Sequence, residues 1–127
     1  MSFPQLTLIV LDELFAICRL GGGASIPPWA TAGSSFSITR TAAELSVVCR
    51  QDAVPEGVVC EGGWRCLRVA GTLPFSVVGV LASLAEAGIS LFAVSTFDTD
   101  YILLKEKDFQ AALGVLWRKG HHAPERA

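Results

Sequence analysis

Charge is scarce in this sequence, and so are the residues on which enzymes are usually built. Asp, Glu, Lys and Arg supply 17% of the 127 residues, with a formal net charge of −2. Charge so sparse and so nearly balanced excludes the basic surface that nucleic acid or an anionic membrane would need. Histidine occurs twice, as the adjacent pair His121-His122, beyond the last segment with a core pattern. No Cys-His or Ser-His nucleophile pairing has support, so the chain is expected not to be an enzyme. Neighbouring side chains on an extended segment point apart, which also makes the pair a poor metal site. The four cysteines (Cys18, Cys49, Cys60 and Cys66) lack any C-x-x-C spacing, and neither a metal nor a cofactor is expected. They read as free, buried thiols. No apolar run approaches the roughly 20 residues that cross a bilayer. Met1-Ser2-Phe3-Pro4 is not the basic start of a secretory signal, so the expected location is cytoplasmic.

Apolar residues, by contrast, make up 51% of the chain. An excess of that size implies a well-filled core together with a subunit interface, and a homodimer is expected. The length suits one ordinary domain or two very small ones sharing a core.

The stretch from Thr72 to Lys105 organises the rest. From Phe75 to Ala87 the spacing predicts a helix, with Val77, Val80, Leu81 and Leu84 on its buried face and Ser76, Gly79, Ser83 and Glu86 on the opposite one. Gly88 ends it where a left-handed residue is cheapest. Two strand-like runs follow, Ile89–Thr96 and Tyr101–Leu104, around the turn Phe97-Asp98-Thr99-Asp100. Asp108 is then expected to cap a second helix whose buried stripe is Phe109, Ala112, Leu113 and Leu116, with Gly120 at its end.

Earlier in the chain, Leu6–Leu11 and Leu14–Leu20 are strand-like runs broken by Asp12-Glu13, which fits a tight hairpin or one bent strand. Gly21-Gly22-Gly23 opens a loop, but no Lys-Ser/Thr follows it, so it is not expected to cradle phosphate. Trp29–Ala32 fits one helical turn behind Pro28. Phe36–Thr41 and Leu45–Arg50 form a second hairpin. Thr41 to Arg50 spans the same distance as Thr96 to Lys105, although Glu44 lies one place earlier in its turn than Asp100. The chain therefore reads as two halves of related design, residues 1–62 and 63–127. The second half is a βαββα unit without its last strand. The tail from His121 onward is a poor substitute, so the open edge must be covered by the N-terminal half or by another subunit.

The run LAEAGISLFAVSTFDTDYILLKEKDF, with Leu84-Ala85-Glu86, Gly88-Ile89-Ser90 and Ser95–Tyr101 as its motifs, closely resembles the C-terminal unit of ACT-domain proteins. Phe36–Thr41 with Glu44-Leu45-Ser46 is similar to their short two-unit bacterial members, in a branch that also includes a cytosolic arginine sensor. The resemblance implies an α+β fold of two fused ACT-like units, each a ferredoxin-like βαββαβ with an antiparallel sheet. It also implies a non-catalytic regulatory protein that senses a free amino acid at an interface between units. The alternative is an ACT-like protein–protein interaction module without a small-molecule ligand. Carried over position by position, Ser90 and Leu91 match strand residues that grip the ligand backbone, and Thr96, Phe97, Thr99 and Asp100 match the turn around it. Pro74 stands where the arginine-sensing branch has a glycine. Val77 stands where that branch has the acid that holds a guanidinium, so the resemblance implies a small or apolar amino acid instead. Asp98 and Asp100 are also ordinary turn residues, and removing Asp100 is expected to leave the fold intact.

Overall fold

The computed structural model describes residues 6–70 and 77–123. Its elements in chain order are β1 (Leu8–Val10), β2 (Phe15–Gly21), β3 (Ser37–Arg40), β4 (Glu44–Arg50), β5 (Val59–Val69), α1 (Val78–Glu86), β6 (Leu91–Ser95), β7 (Asp100–Lys105) and α2 (Glu106–Arg118). They divide into two compact units. One runs from Glu13 to Trp64, and the other joins the residues up to Asp12 with those from Arg65 onward.

In the Glu13–Trp64 unit the strand order is β3-β4-β2-β5, and the three pairings are antiparallel. A 3-10 turn at Pro28–Thr31 joins β2 to β3, and another at Gln51–Ala53 joins β4 to β5. Counted within the unit, the first strand lies between the third and the fourth. This is the ferredoxin-like order with each helix reduced to a single turn. Pro27, Pro28 and Gly33 bound the first turn and Pro55 follows the second, so neither can grow into an α-helix. Period-2 alternation puts Ala16 and Cys18 of β2 and Leu45, Val47 and Cys49 of β4 into one buried cluster with Ala30. Arg40 donates to the carbonyls of Gly22 and Ala24 (2.6 Å to the latter), so the glycine loop aims acceptors at a guanidinium. A side chain at Gly22 would run into the Ala42 carbonyl of the neighbouring turn.

In the other unit the order is β1-β5-β7-β6, with α1 between β5 and β6 and α2 after β7. β1 occupies the place of the missing fourth strand. It pairs antiparallel with β5 in the register Leu8↔Val69, Ile9↔Arg68 and Val10↔Leu67. Asp12-Glu13 is therefore not the tip of a hairpin: β1 and β2 each find their partner in β5. The core holds Leu8, Val10, Leu67, Val69, Ile102, Leu104 and, from the helices, Val80, Leu84, Phe109, Ala112 and Leu116. Each large aliphatic side chain so buried contributes about 1.5–3 kcal/mol. Arg65 lays its guanidinium 4.4 Å from the centre of the Phe109 ring, which covers that end of the core.

Both helices end alike. The Ile89 N–H reaches the Leu84 carbonyl and the Gly88 N–H reaches that of Ala85, both at 3.0 Å. His121 to Leu116 and Gly120 to Trp117 repeat the pair at the same distance. These are two Schellman motifs, each turning on a left-handed glycine (φ +74° at Gly88, +91° at Gly120).

Four further sequence expectations need correction. Gly79 and Ser83 do not face solvent; they are buried with Val80 and Leu84, and the Ser83 hydroxyl donates to the Gly79 carbonyl at 2.7 Å. Small residues one turn apart carry no hydropathy signal, and the local hydrogen bond removes the cost of burying the hydroxyl. Asp108 is not the cap of α2, because the helix starts at Glu106 and Asp108 lies in its first turn, still favourable to the helix dipole. Cys60 is exposed, since it lies on the outermost strand of its unit. Finally, the tail is structured up to Ala123. His122 exchanges backbone bonds with Leu6 and Leu8 (2.9 and 2.7 Å), and His121 is buried with its Nδ1 accepting the Leu6 N–H at 3.1 Å.

Candidate ligand-binding site

The residues matched to a ligand site gather around the β6–β7 hairpin. Its register is Leu91↔Leu104 through Ser95↔Asp100. Thr96 closes the turn with both its backbone and its side chain. Its N–H donates to the Thr99 carbonyl at 2.8 Å, its hydroxyl donates to the same oxygen at 3.1 Å, and the hydroxyl accepts the Thr99 N–H at 3.2 Å. The Thr99 hydroxyl in turn donates to the Val69 carbonyl on β5, at 2.8 Å. Both threonine hydroxyls are thus engaged in holding the turn in place.

Asp100 is different. It opens β7 rather than sitting in the turn, and only 8% of it is exposed. The expectation of a surface turn acid does not hold for it. Among the described residues its carboxylate accepts one hydrogen bond, from the Ser95 hydroxyl across the strand pair. A carboxylate offers about four acceptor sites, so capacity remains for a cationic donor. Burying such a group without full pairing is costly, which makes it a candidate for chemistry rather than folding.

The other matched residues are placed as follows. Phe97 is 97% exposed at the tip of the turn beside the exposed Asp98. Ser90 is exposed just ahead of β6. Leu91 and Val77 are partly buried and pack against the apolar core, Val77 in line with Val80, Leu81 and Leu84. Pro74 lies outside the described residues. The structure thus joins Thr96 to Thr99 and Thr99 to the Val69 carbonyl, and separately joins Asp100 to Ser95; sequence reasoning missed Ser95 and the Val69 carbonyl. Ser95 could have been found from the hairpin register, as the cross-strand partner of Asp100.

Sequence reasoning also missed His121, which with Ser83 and Asp100 completes the buried polar residues of the chain's described part. Burial pushes its pKa below the ordinary value of 6.5, which favours the neutral ring that can accept from Leu6. Among the described residues no group of three or more His, Cys, Asp or Glu side chains could hold a metal ion. No helix among them is long and apolar enough to cross a membrane.

Comparison with known proteins agrees with this architecture. The family model for the ACT domain matches residues 59–118, and a model described as an N-terminal domain matches residues 13–57. A protein from Agrobacterium tumefaciens, known from its crystal structure, is 37% identical; the match covers 95% of this chain and 93% of that one, with a TM-score of 0.91. A Vibrio cholerae protein of unknown function, described as a possible transport protein, has a TM-score of 0.73 at 15% identity, over 92% of this chain and 91% of its own. The regulatory subunit of aspartate kinase from Thermus flavus has a TM-score of 0.58 at 10% identity, covering 94% of this chain and 99% of that subunit; at that identity the likeness concerns the fold. No curated protein matches the sequence. The matched domain, the ferredoxin-like order in both units and the near full-length Agrobacterium relative lead to one assignment: residues 59–118 belong to the ACT-domain family, in a chain related over almost its whole length to the Agrobacterium protein.

Proposed function

We propose that this chain is a non-catalytic regulatory protein that binds a free amino acid at the β6–β7 hairpin of its C-terminal unit. The observation that carries the reading is Asp100, a buried carboxylate whose one hydrogen bond among the described residues comes from Ser95. In the other hairpin the position after the turn is the fully buried Leu45, so the fold itself does not require an acid there. The amino acid's ammonium meets Asp100, and its carboxylate meets the N–H groups that open α1, which lie outside the helical ladder. Ser90, Leu91, Thr96, Phe97 and Thr99 complete the contacts in this reading, with Pro74 and Val77 on the α1 side. Val77 against the apolar core disfavours a cationic ligand side chain and supports a small or apolar one. The fold likeness to regulatory subunits of aspartate kinases supports a regulatory role.

Thermal denaturation against each of the twenty amino acids tests the proposal. A ligand at 100 times its Kd adds about 2.7 kcal/mol, or roughly 8–16 °C in Tm for a domain of this size. A shift that Asp100→Asn abolishes supports the reading, and no shift with any amino acid overturns it.

A second reading is favoured by Phe97 and Trp117, which are 97% and 73% exposed. Aromatic surface of that kind suits an interaction module without a small-molecule ligand, and a homodimer is the simplest partner. β6 ends the strand order of its unit, so its outer ladder edge is open to a second copy among the described residues. Light scattering at micromolar concentration decides this point, and a monomeric mass removes the homodimer.

A further inference from the structure

The N-terminal unit holds a cluster of three thiols that the proposed binding role does not use. Cys18 on β2 stands directly opposite Cys60 on β5. Cys49 on β4 is a diagonal neighbour of Cys18, since Ala16 pairs with Cys49 and Cys18 with Val47. Both neighbours act on the Cys18 thiol electrostatically. All three are free; Cys18 and Cys49 are buried and Cys60 is exposed. One thiol therefore meets solvent while another waits directly behind it.

Geometry selects the pair that can bond. Directly opposed residues of antiparallel strands hold their Cα atoms about 4.5–5.5 Å apart, within the roughly 4.4–6.8 Å that a disulfide spans. Diagonal neighbours stand about 7–8 Å apart, too far without backbone movement. Cys18 with Cys60 is the bondable pair, and Cys18 with Cys49 is not.

We propose that Cys60 and Cys18 form a reversible two-thiol oxidation site that reacts with low-molecular-weight disulfides. The Cys60 thiolate attacks one sulfur of the reagent. A bond forms between Cys60 and that sulfur, the reagent's own S–S bond breaks, and the departing thiolate takes up a proton from water. Cys18 then loses its proton to water and attacks the Cys60 sulfur. The Cys18–Cys60 bond forms, and the second reagent thiolate leaves and is protonated. Two electrons pass from the protein dithiol to the reagent, which ends as two thiols. Burial, reinforced by the neighbouring thiols, pushes the Cys18 pKa up to about 12. The exposed Cys60 is thus the first attacker, and the second attack is the slow step. The product ties the outermost strand of the unit, β5, to β2.

The test uses the full chain under native conditions with an excess of oxidised glutathione, followed by acid quench, alkylation and peptide mapping. Free thiols are expected to fall from four to the two that remain at Cys49 and Cys66. The intact mass should lose two hydrogens, a peptide should join Cys18 to Cys60, and dithiothreitol should reverse both changes. Cys49→Ser should still form the link, Cys18→Ser should stop at a glutathione adduct on Cys60, and Cys60→Ser should keep Cys18 unmodified. Circular dichroism checks that each variant is folded, and mapping of the unsubstituted chain decides the matter if one is not. A lasting adduct on Cys60 of the unsubstituted chain, a Cys60–Cys60 dimer, a Cys18–Cys49 link or no reaction at all would each overturn the proposal.

Discussion

The β3–β4 and β6–β7 hairpins close their turns with the same device and then diverge at the next residue. Thr41 and Thr96 each donate a backbone N–H to the carbonyl three residues on, Glu44 and Thr99 respectively, at 2.8 Å. In each, the hydroxyl also accepts the N–H of that third residue (3.1 and 3.2 Å). The first strand pair beyond the turn is Arg40↔Leu45 in one hairpin and Ser95↔Asp100 in the other. Leu45 is buried in its core, and Asp100 is buried too, at 8% exposure. The turn chemistry is thus required twice, while the buried acid occurs once. A feature shared by both copies belongs to folding, and a costly feature in one copy asks for another reason. The helix ends of the C-terminal unit teach the same lesson. Two matching Schellman motifs place Ile89 at one end and the buried His121 at the other.

The largest expected effect comes from forcing the hairpins to match in the wrong direction. Leu45→Asp puts an acid into an apolar cluster where no serine stands opposite, and where Arg40 is already engaged with two loop carbonyls. It should cost at least about 3–5 kcal/mol, seen as loss of the cooperative urea transition at room temperature. Thr99→Val comes next. It leaves the Val69 carbonyl without its hydroxyl donor and should cost about 1–3 kcal/mol in urea denaturation. Thr96→Val and Thr41→Val should each cost about 0.5–1.5 kcal/mol; a large difference between them would show that the two turns are not energetically equivalent.

A smaller, graded effect belongs to His121. Its folded-state pKa lies below 6.5, so the unfolded chain binds the extra proton first as pH drops. The associated stability is complete above pH 6.5 and is lost as pH falls through the lower folded value. His121→Ile, which copies Ile89, should remove that part of the pH dependence in urea titrations. The smallest effect on stability is expected from Asp100→Leu, which copies Leu45. Exchanging a buried acid for an aliphatic side chain of similar volume should leave the melting temperature unchanged or higher, while any amino-acid-induced shift disappears. A strongly destabilised Asp100→Leu protein would return Asp100 to a purely structural role.

Much of the architecture was legible because hydrophobic period changes with element type. The helix at Val80, Leu81 and Leu84, the stripe at Phe109, Ala112 and Leu116, and the paired hairpins all follow from spacing. The one-residue offset between Glu44 and Asp100 was visible too, and its cause is physical: Glu44 corresponds to Thr99, the residue that closes the turn. What escaped was carried by residues with weak or double-edged propensity. Histidine gives no core signal, so His121 read as tail, although Leu116 followed at four residues by Gly120 repeats the spacing of Leu84 and Gly88. Aspartate suits turns, which masked Asp100 as the first residue of a strand. The open edge of the C-terminal unit was deducible, but choosing β1 to fill it needed long-range pairing that no local pattern carries.

That strand also has a consequence for the order in which the molecule is made. Leu8 to Val10 are synthesised before the Glu13–Trp64 unit, yet their partners at Leu67 to Val69 follow only after all of it. Until then a short apolar segment waits with its ladder unformed, a state that favours association between unfinished chains. Folding of the intervening unit first would shorten that exposure. The unit pairs Phe15 with Trp64, so its completion brings its two ends together and replaces a long flexible loop with a short one before β1 must close on β5. A circular permutant that moved β1 behind α2 would dispense with this waiting period, and its refolding rate should lose its dependence on the stability of the Glu13–Trp64 unit.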